Sequence, residues 1–163
     1  MPVFSYRDDG ETVNAETVLA AIASEEARIK TAAGTTLMIQ KTVSASAFIT
    51  AGANLTTTAI GPLYVENILV ACDSGTITTA TNLEVLTNNV YGPAILYSEA
   101  IANLTANQAS DLFTASVAKQ RTVIENGKLL TFASTGATAG GTGHITITVV
   151  FRRMADGASI TTA

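Results

Sequence analysis

Between His144 and Phe151, apolar Ile145, Ile147, Val149 and Phe151 alternate with His144, Thr146, Thr148 and Val150. A period of two is that of a strand with one buried face, because successive side chains leave opposite sides of a sheet. The preceding segment, Ser134 to Gly143, is rich in glycine, threonine and alanine, and this predicts a long mobile loop feeding the strand.

The pattern elsewhere is of two kinds. Residues 14 to 33 predict one helix, with Asn14 as N-cap and Gly34 as C-terminal stop. Val18, Ile22, Glu25 and Ile29 lie along one stripe, widened by Leu19 and Ala21. Glu11 and Glu16 near the start and Arg28 and Lys30 near the end complement the helix dipole, and Glu26 with Lys30 forms an i, i+4 pair. A stripe this thin needs a cover: the chain's own sandwich, a symmetry mate or another protein.

From Thr35 onward the period is that of strands. Leu37, Ile39, Lys41 and Val43 alternate with Met38, Gln40 and Thr42; the lysine on the apolar face suits an edge strand. Residues 44 to 61 carry no assignable pattern. Leu63 to Cys72 predicts a central strand, bulged at Glu66-Asn67 so that Ile68, Val70 and Cys72 share a face. Asp73-Ser74-Gly75 predicts a turn. Shorter strands are predicted at Leu83 to Thr87, Ile95 to Ile101 and Ala109 to Ser116, and a hairpin about Asn126-Gly127. Short strands at turn-punctuated intervals predict a mainly β fold, an antiparallel β-sandwich of jelly-roll-like form with one N-terminal α-helix. The division expected is an arm and helix over residues 1–35, serving attachment or oligomer contact, and a sandwich over 36–163.

Composition narrows the possible functions. Hydrophobic residues make up 47% of the 163, enough for a core, while charged residues are 13%, about half the usual share. There are 26 threonines and 27 alanines, which predicts a neutral, small-featured surface suited to protein contacts. A net charge of −4 argues against nucleic acid as a partner, since phosphate contacts need basic residues. The polar start Met1 to Gly10 has no apolar leader segment, and no run reaches a membrane span; the expectation is a soluble protein made in the cytoplasm with no membrane partner. Asn54-Leu55-Thr56 and Asn103-Leu104-Thr105 match the glycosylation sequon and are read as chance.

Candidate chemistry is sparse. With one His and one Cys, no zinc ligand set is expected, and any serine or cysteine triad would depend wholly on His144. Cys72 lies in an apolar run and reads as a small buried hydrophobe. The loop Gly136 to Gly143 lacks the Lys-Ser/Thr pair of a phosphate loop and precedes a strand rather than a helix. Glu25 and Glu26 point about 100° apart on a helix and cannot share a substrate. No cofactor, metal or catalytic residue is predicted.

Leu83-Glu84-Val85-Leu86-Thr87-Asn88-Asn89, Glu125-Asn126-Gly127-Lys128-Leu129-Leu130 and the glycine-rich loop running into Gly143 to Arg153 together resemble the decoration, or cement, proteins of tailed bacteriophage capsids. The resemblance spans about residues 63 to 153 and lies in layout rather than in a diagnostic motif. It implies a virion protein on the outer capsid surface that binds the major capsid protein, forms a homotrimer, and holds neighbouring capsid subunits together. Phe4, Tyr6 and Arg7 are residue types favoured at interfaces. With Val18, Ile22 and Ile29 of the helix and the strand-end pair Arg152 and Arg153, they are the expected contact residues. The alternative is a head-fibre or receptor-binding module for a host-surface glycan, against which stands the lack of tryptophan.

Overall fold

The computed structural model describes residues 15–47, 56–73, 75–92, 94–104, 109–112, 115 and 118–161. Helix α1 spans Ala15–Thr31, and Gly34, at φ +86°, ends its last turn in the left-handed region that glycine enters freely. The expected cap Asn14 lies outside the described residues. The ion pair formed on α1 is Glu25 with Arg28, one turn apart, rather than Glu26 with Lys30.

Eleven strands follow in the described chain: β1 Thr36–Ser44, β2 Thr56–Ile60, β3 Leu63–Cys72, β4 Asn82–Thr87, β5 Ile95–Ala100, β6 Ala109–Asp111, β7 Ala118–Lys119, β8 Val123–Ile124, β9 Leu129–Ser134, β10 His144–Arg153 and β11 Ser159–Thr161. Their pairing is nested. β1 pairs β10, β2 pairs β9, β3 pairs β8 and β6, and β4 pairs β5, all antiparallel. This is one long hairpin rolled so that its successive rungs fall in alternate sheets, the jelly-roll arrangement. Sheet I has the order β1-β10-β3-β6, with β8 also on β3; sheet II has the order β11-β2-β9-β4-β5-β7.

Alternation sets the core. On β10 Ile145, Ile147, Val149 and Phe151 are buried, and on β3 so are Leu63, Val65, Ile68, Val70 and Cys72. The register between them steps from Val150↔Asn67 to Phe151↔Val65, leaving Glu66 as the extra residue. That bulge lets Leu63 and Val65 share a face with Ile68, Val70 and Cys72, as the sequence predicts. Sheet II contributes Leu83, Val85, Leu96, Tyr97, Leu130 and Phe132 to the same core. β1 is an edge strand, and half-buried Lys41 points inward with Leu37, Ile39 and Val43. An inward charge on an edge disfavours addition of a further strand there.

Three expectations change. The turn about Asn126-Gly127 forms, with Lys128 N–H donating to Glu125 O at 3.0 Å and Gly127 at φ +74°. Its flanking strands do not make a hairpin, however: β8 joins sheet I and β9 joins sheet II. The short stretch of pattern on either side cannot show that the chain crosses between layers. The strand predicted over Ala109 to Ser116 is cut to β6, after which Ala115 N–H turns back to Asp111 O. The segment 44 to 61 resolves into the end of β1, a turn of 3-10 helix at Ala45–Ala47, and β2; residues 48–55 lie outside the described residues.

Candidate functional site

The glycine-rich segment before β10 is a zipper with the segment after β3. Thr78 and Gly140 exchange both backbone bonds, at 2.9 and 2.8 Å, and Gly143 N–H donates to Thr76 O at 2.8 Å. The glycines serve close approach: a Cβ on Gly75 would stand 2.4 Å from the Gly143 Cα, and one on Gly141 would stand 2.3 Å from Thr76 O. The expectation of a long mobile loop is therefore corrected; composition cannot distinguish freedom from contact so close that only glycine fits.

At the root of the zipper, Asp73 follows β3 and His144 opens β10. Asp73 Oδ1 accepts from the backbone N–H of Gly75 at 2.8 Å and of His144 at 3.0 Å, and Oδ2 meets His144 Nδ1 at 2.9 Å. The His144 N–H first, then that of Gly75, hold the carboxyl below its ordinary range. Cys72 points to the other side of the sheet, into the core, where its thiol donates to Gly75 O at 3.7 Å. Burial, and after it the Asp73 charge, push that thiol up, the reverse of nucleophile activation. The trio does not converge on one point, and what this corner does is to lock two strand ends together.

A second polar cluster joins the two sheets. Glu99 of β5 is 1% exposed and accepts from Ala100 N–H at 3.0 Å, Asn103 Nδ2 at 2.8 Å and Ser110 Oγ of β6 at 2.8 Å. Tyr97 is wholly buried beside it, and burial pushes its phenol well up. Among the described residues, no group of three or more His, Cys, Asp and Glu could hold a metal ion.

A third candidate is the outer face of sheet I, laid across β1, β10 and β3. Register places Thr36, Arg152 and Tyr64 in one row, then Met38, Val150 and Asn67, then Gln40, Thr148 and Leu69, then Thr42, Thr146 and Ala71. Hydroxyls and amides satisfy one another along it: Thr42 Oγ1 lies 2.8 Å from Thr146 Oγ1, and Gln40 Nε2 donates to Thr148 Oγ1 at 3.2 Å. Arg152 pairs with Glu66, its Nε donating at 2.8 Å, and its guanidinium lies 5.7 Å from the Tyr64 ring centre. Met38 is 62% and Leu69 40% exposed. The face is partly apolar and low in charge, carrying Asp111 of β6 beside Leu69 in addition to the Glu66–Arg152 pair, a composition that suits contact with another protein surface.

The expected contact residues fall in different places. Phe4, Tyr6 and Arg7 lie outside the described residues. Val18, Ile22 and Ile29 are exposed on α1, where every side chain described is exposed, so the sandwich does not cover this helix. Arg152 belongs to the face of sheet I. Arg153 acts within the chain: it donates to Ala158 O, Thr35 Oγ1 and Thr36 O, and with the Gly34–Arg153, Ala33–Asp156 and Gly157–Thr31 bonds it roots α1 on the sandwich. Sequence reasoning missed Met38, Gln40, Tyr64 and Leu69. Their signal was the outward half of the alternation in β1 and β3, which is read as solvent-facing unless the neighbouring rows are known.

The geometry defines a jelly-roll-like β-sandwich with an uncovered helix and a partly apolar sheet face of low charge. Compared with protein-family models, with curated proteins and with solved structures, the chain matches none.

Proposed function

We propose that this chain is a non-enzymatic structural protein that decorates the outside of an assembled viral capsid and stabilises contacts between neighbouring capsid subunits. The observation that carries this reading is the outer face of sheet I, a four-row platform of threonine, glutamine, methionine and leucine whose ion pair is closed within the chain. Such a platform lies against a protein surface at little cost in stripped charge or unpaired polar groups. The major capsid protein is the partner proposed, and repetition of a weak contact over a symmetric shell supplies avidity. The test is to mix purified protein with particles lacking it. Binding at saturating stoichiometry with a rise in particle thermal stability is expected; no binding, or binding without that rise, rejects the proposal.

A receptor-binding reading draws on Tyr91, which is 81% exposed beside Val90 at the β4–β5 loop. Around it, though, Asn88 and Asn89 are engaged with the backbone of Leu129, Val123 and Glu125, and Glu125 accepts from Val90 and Tyr91 N–H. The Asn88 and Asn89 side-chain oxygens and the Glu125 carboxylate are thus already engaged with backbone N–H groups of the chain itself. Specific binding on a glycan array would reverse the preference.

A further inference from the structure

We infer that Asn126-Gly127 and Asp156-Gly157 are sites of isoaspartate formation that the folded chain holds shut with one kind of backbone clamp, so that the modification marks copies that have opened.

The sequence sets the chemistry. Before a glycine, an Asn or Asp side chain meets the least hindrance to ring closure, since no Cβ shields the next backbone nitrogen. That nitrogen gives up its proton and bonds to the side-chain Cγ, while ammonia leaves from Asn or water from Asp. A further water then opens the five-membered imide to aspartate or isoaspartate, with no oxidant or cofactor required. The chain has three such pairs, Asp9-Gly10, Asn126-Gly127 and Asp156-Gly157, and the last two lie among the described residues. Their four residues are exposed, and a Cβ on either glycine would meet nothing within 4 Å. Bulk therefore does not protect them.

Hydrogen bonds do, in one arrangement used twice. Gly127 N–H donates to Ala59 O at 2.9 Å, while Asn126 Oδ1 accepts from Gly61 N–H at 2.8 Å. Gly157 N–H donates to Thr31 O at 2.8 Å, while Asp156 Oδ1 accepts from Ala33 N–H at 2.7 Å. In each clamp the attacking nitrogen and the attacked side chain grip two backbone groups two residues apart on another segment, with the glycine at φ +74° or +73°. Ring closure must break both bonds, because the nitrogen loses its proton and the side-chain oxygen turns with Cγ. The reaction then waits on local opening and follows the population of the open form.

What each clamp fastens gives the modification its consequence. Asn126-Gly127 holds the crossing from β8 in sheet I to β9 in sheet II against the end of β2. Asp156-Gly157 holds the end of α1 against the turn before β11. Isoaspartate routes the main chain through the side chain and lengthens it by a methylene, so the modified pair no longer spans its two partners. An opening that would otherwise reverse leaves a chain whose clamp stays undone.

The test incubates the full chain at pH 8, folded and in guanidinium chloride, and maps isoaspartate peptide by peptide with an isoaspartyl-specific methyltransferase. With two hydrogen bonds of ordinary strength to break, Asn126 in the folded chain should react about 30-fold more slowly than in the unfolded chain. Ala33→Pro deletes one N–H of the second clamp; it should speed isoaspartate formation at Asp156 by about fivefold and leave Asn126 as slow as before. Equal rates at Asn126 in the folded and unfolded chain overturn the inference without recourse to any variant. So does an Asp156 unmoved by Ala33→Pro.

Discussion

Replacing Gly75 by alanine separates two descriptions of the glycine-rich segment with opposite signs. If the segment were a free loop, Gly75→Ala would leave stability unchanged or raise it by roughly 0.4–1 kcal/mol, by narrowing the unfolded ensemble. In the zipper the new Cβ meets Gly143 Cα at 2.4 Å, Gly143 N at 2.6 Å and the Thr142 carbonyl carbon at 2.8 Å. All three are backbone atoms, so no side chain can swing aside. Overpacking of this kind costs about 1–3 kcal/mol. Parting the strands to relieve it strains the Gly143–Thr76 and Gly140–Thr78 bonds, each worth about 1 kcal/mol. After subtracting the unfolded-state gain, the expected loss is about 2–3 kcal/mol, which for a chain of this size lowers the melting temperature by about 4–12 °C. Urea unfolding of wild type and variant at 25 °C measures it. Gly127→Ala is the control: its φ is +74° and no atom lies within 4 Å of the added Cβ, so only the left-handed backbone cost of about 1–2 kcal/mol remains. A Gly75→Ala protein as stable as wild type, or more so, would refute close approach as the reason for the glycines.

Asp73 has a folded-state pKa below its ordinary value, so its contribution is present above about pH 4 and is lost as pH falls through the folded value. Asp73→Asn should therefore be less stable than wild type at neutral pH, with the gap closing on acidification, as urea midpoints from pH 7 to pH 2 will show. Glu99→Ala strands the buried donor Ser110 Oγ and should cost about 1–3 kcal/mol by the same measurement; a neutral result would mean the cluster does not tie the sheets. Cys72, buried with its thiol pushed up, should resist alkylation at pH 8 in the native protein and label promptly in urea.

The layer architecture was legible because alternation is a direct imprint of a half-buried strand. Ile145, Ile147, Val149 and Phe151 on β10 and the phase change at Glu66-Asn67 on β3 each mark which way a side chain points. Lys41 disclosed an edge for the same reason. What alternation does not encode is the partner of a strand. Val123-Ile124 and Leu129-Leu130 flank a proper turn yet enter different sheets, because the choice is made by β3 and β2, whose partner residues lie far back along the chain. The candidate contact face suffered likewise: Met38, Gln40 and Leu69 become one surface only when β10 is set between β1 and β3. The helix was legible for a different reason, since Val18, Ile22 and Ile29 recur at helical spacing within one short segment and need no distant partner to be read.

The low charge of the sheet I face makes its own demand on how attachment responds to salt. The ion pairs Glu25–Arg28 and Glu66–Arg152 each close within the chain, so a partner laid on sheet I meets Glu66 and Arg152 already neutralised by each other. Attachment through threonine, glutamine, methionine and leucine rests on shape and apolar burial, terms that ionic strength scarcely touches, whereas a contact built on exposed charge weakens as the screening length shortens from about 10 Å at 0.1 M to about 3 Å at 1 M. Raising salt over that range should change the affinity for particles by less than about threefold, and Met38→Asp or Leu69→Asp should weaken it far more than Arg152→Gln. A loss of affinity of tenfold or more with salt, alongside indifference to Met38→Asp, would show that attachment runs through charges elsewhere on the chain and not through the face of sheet I.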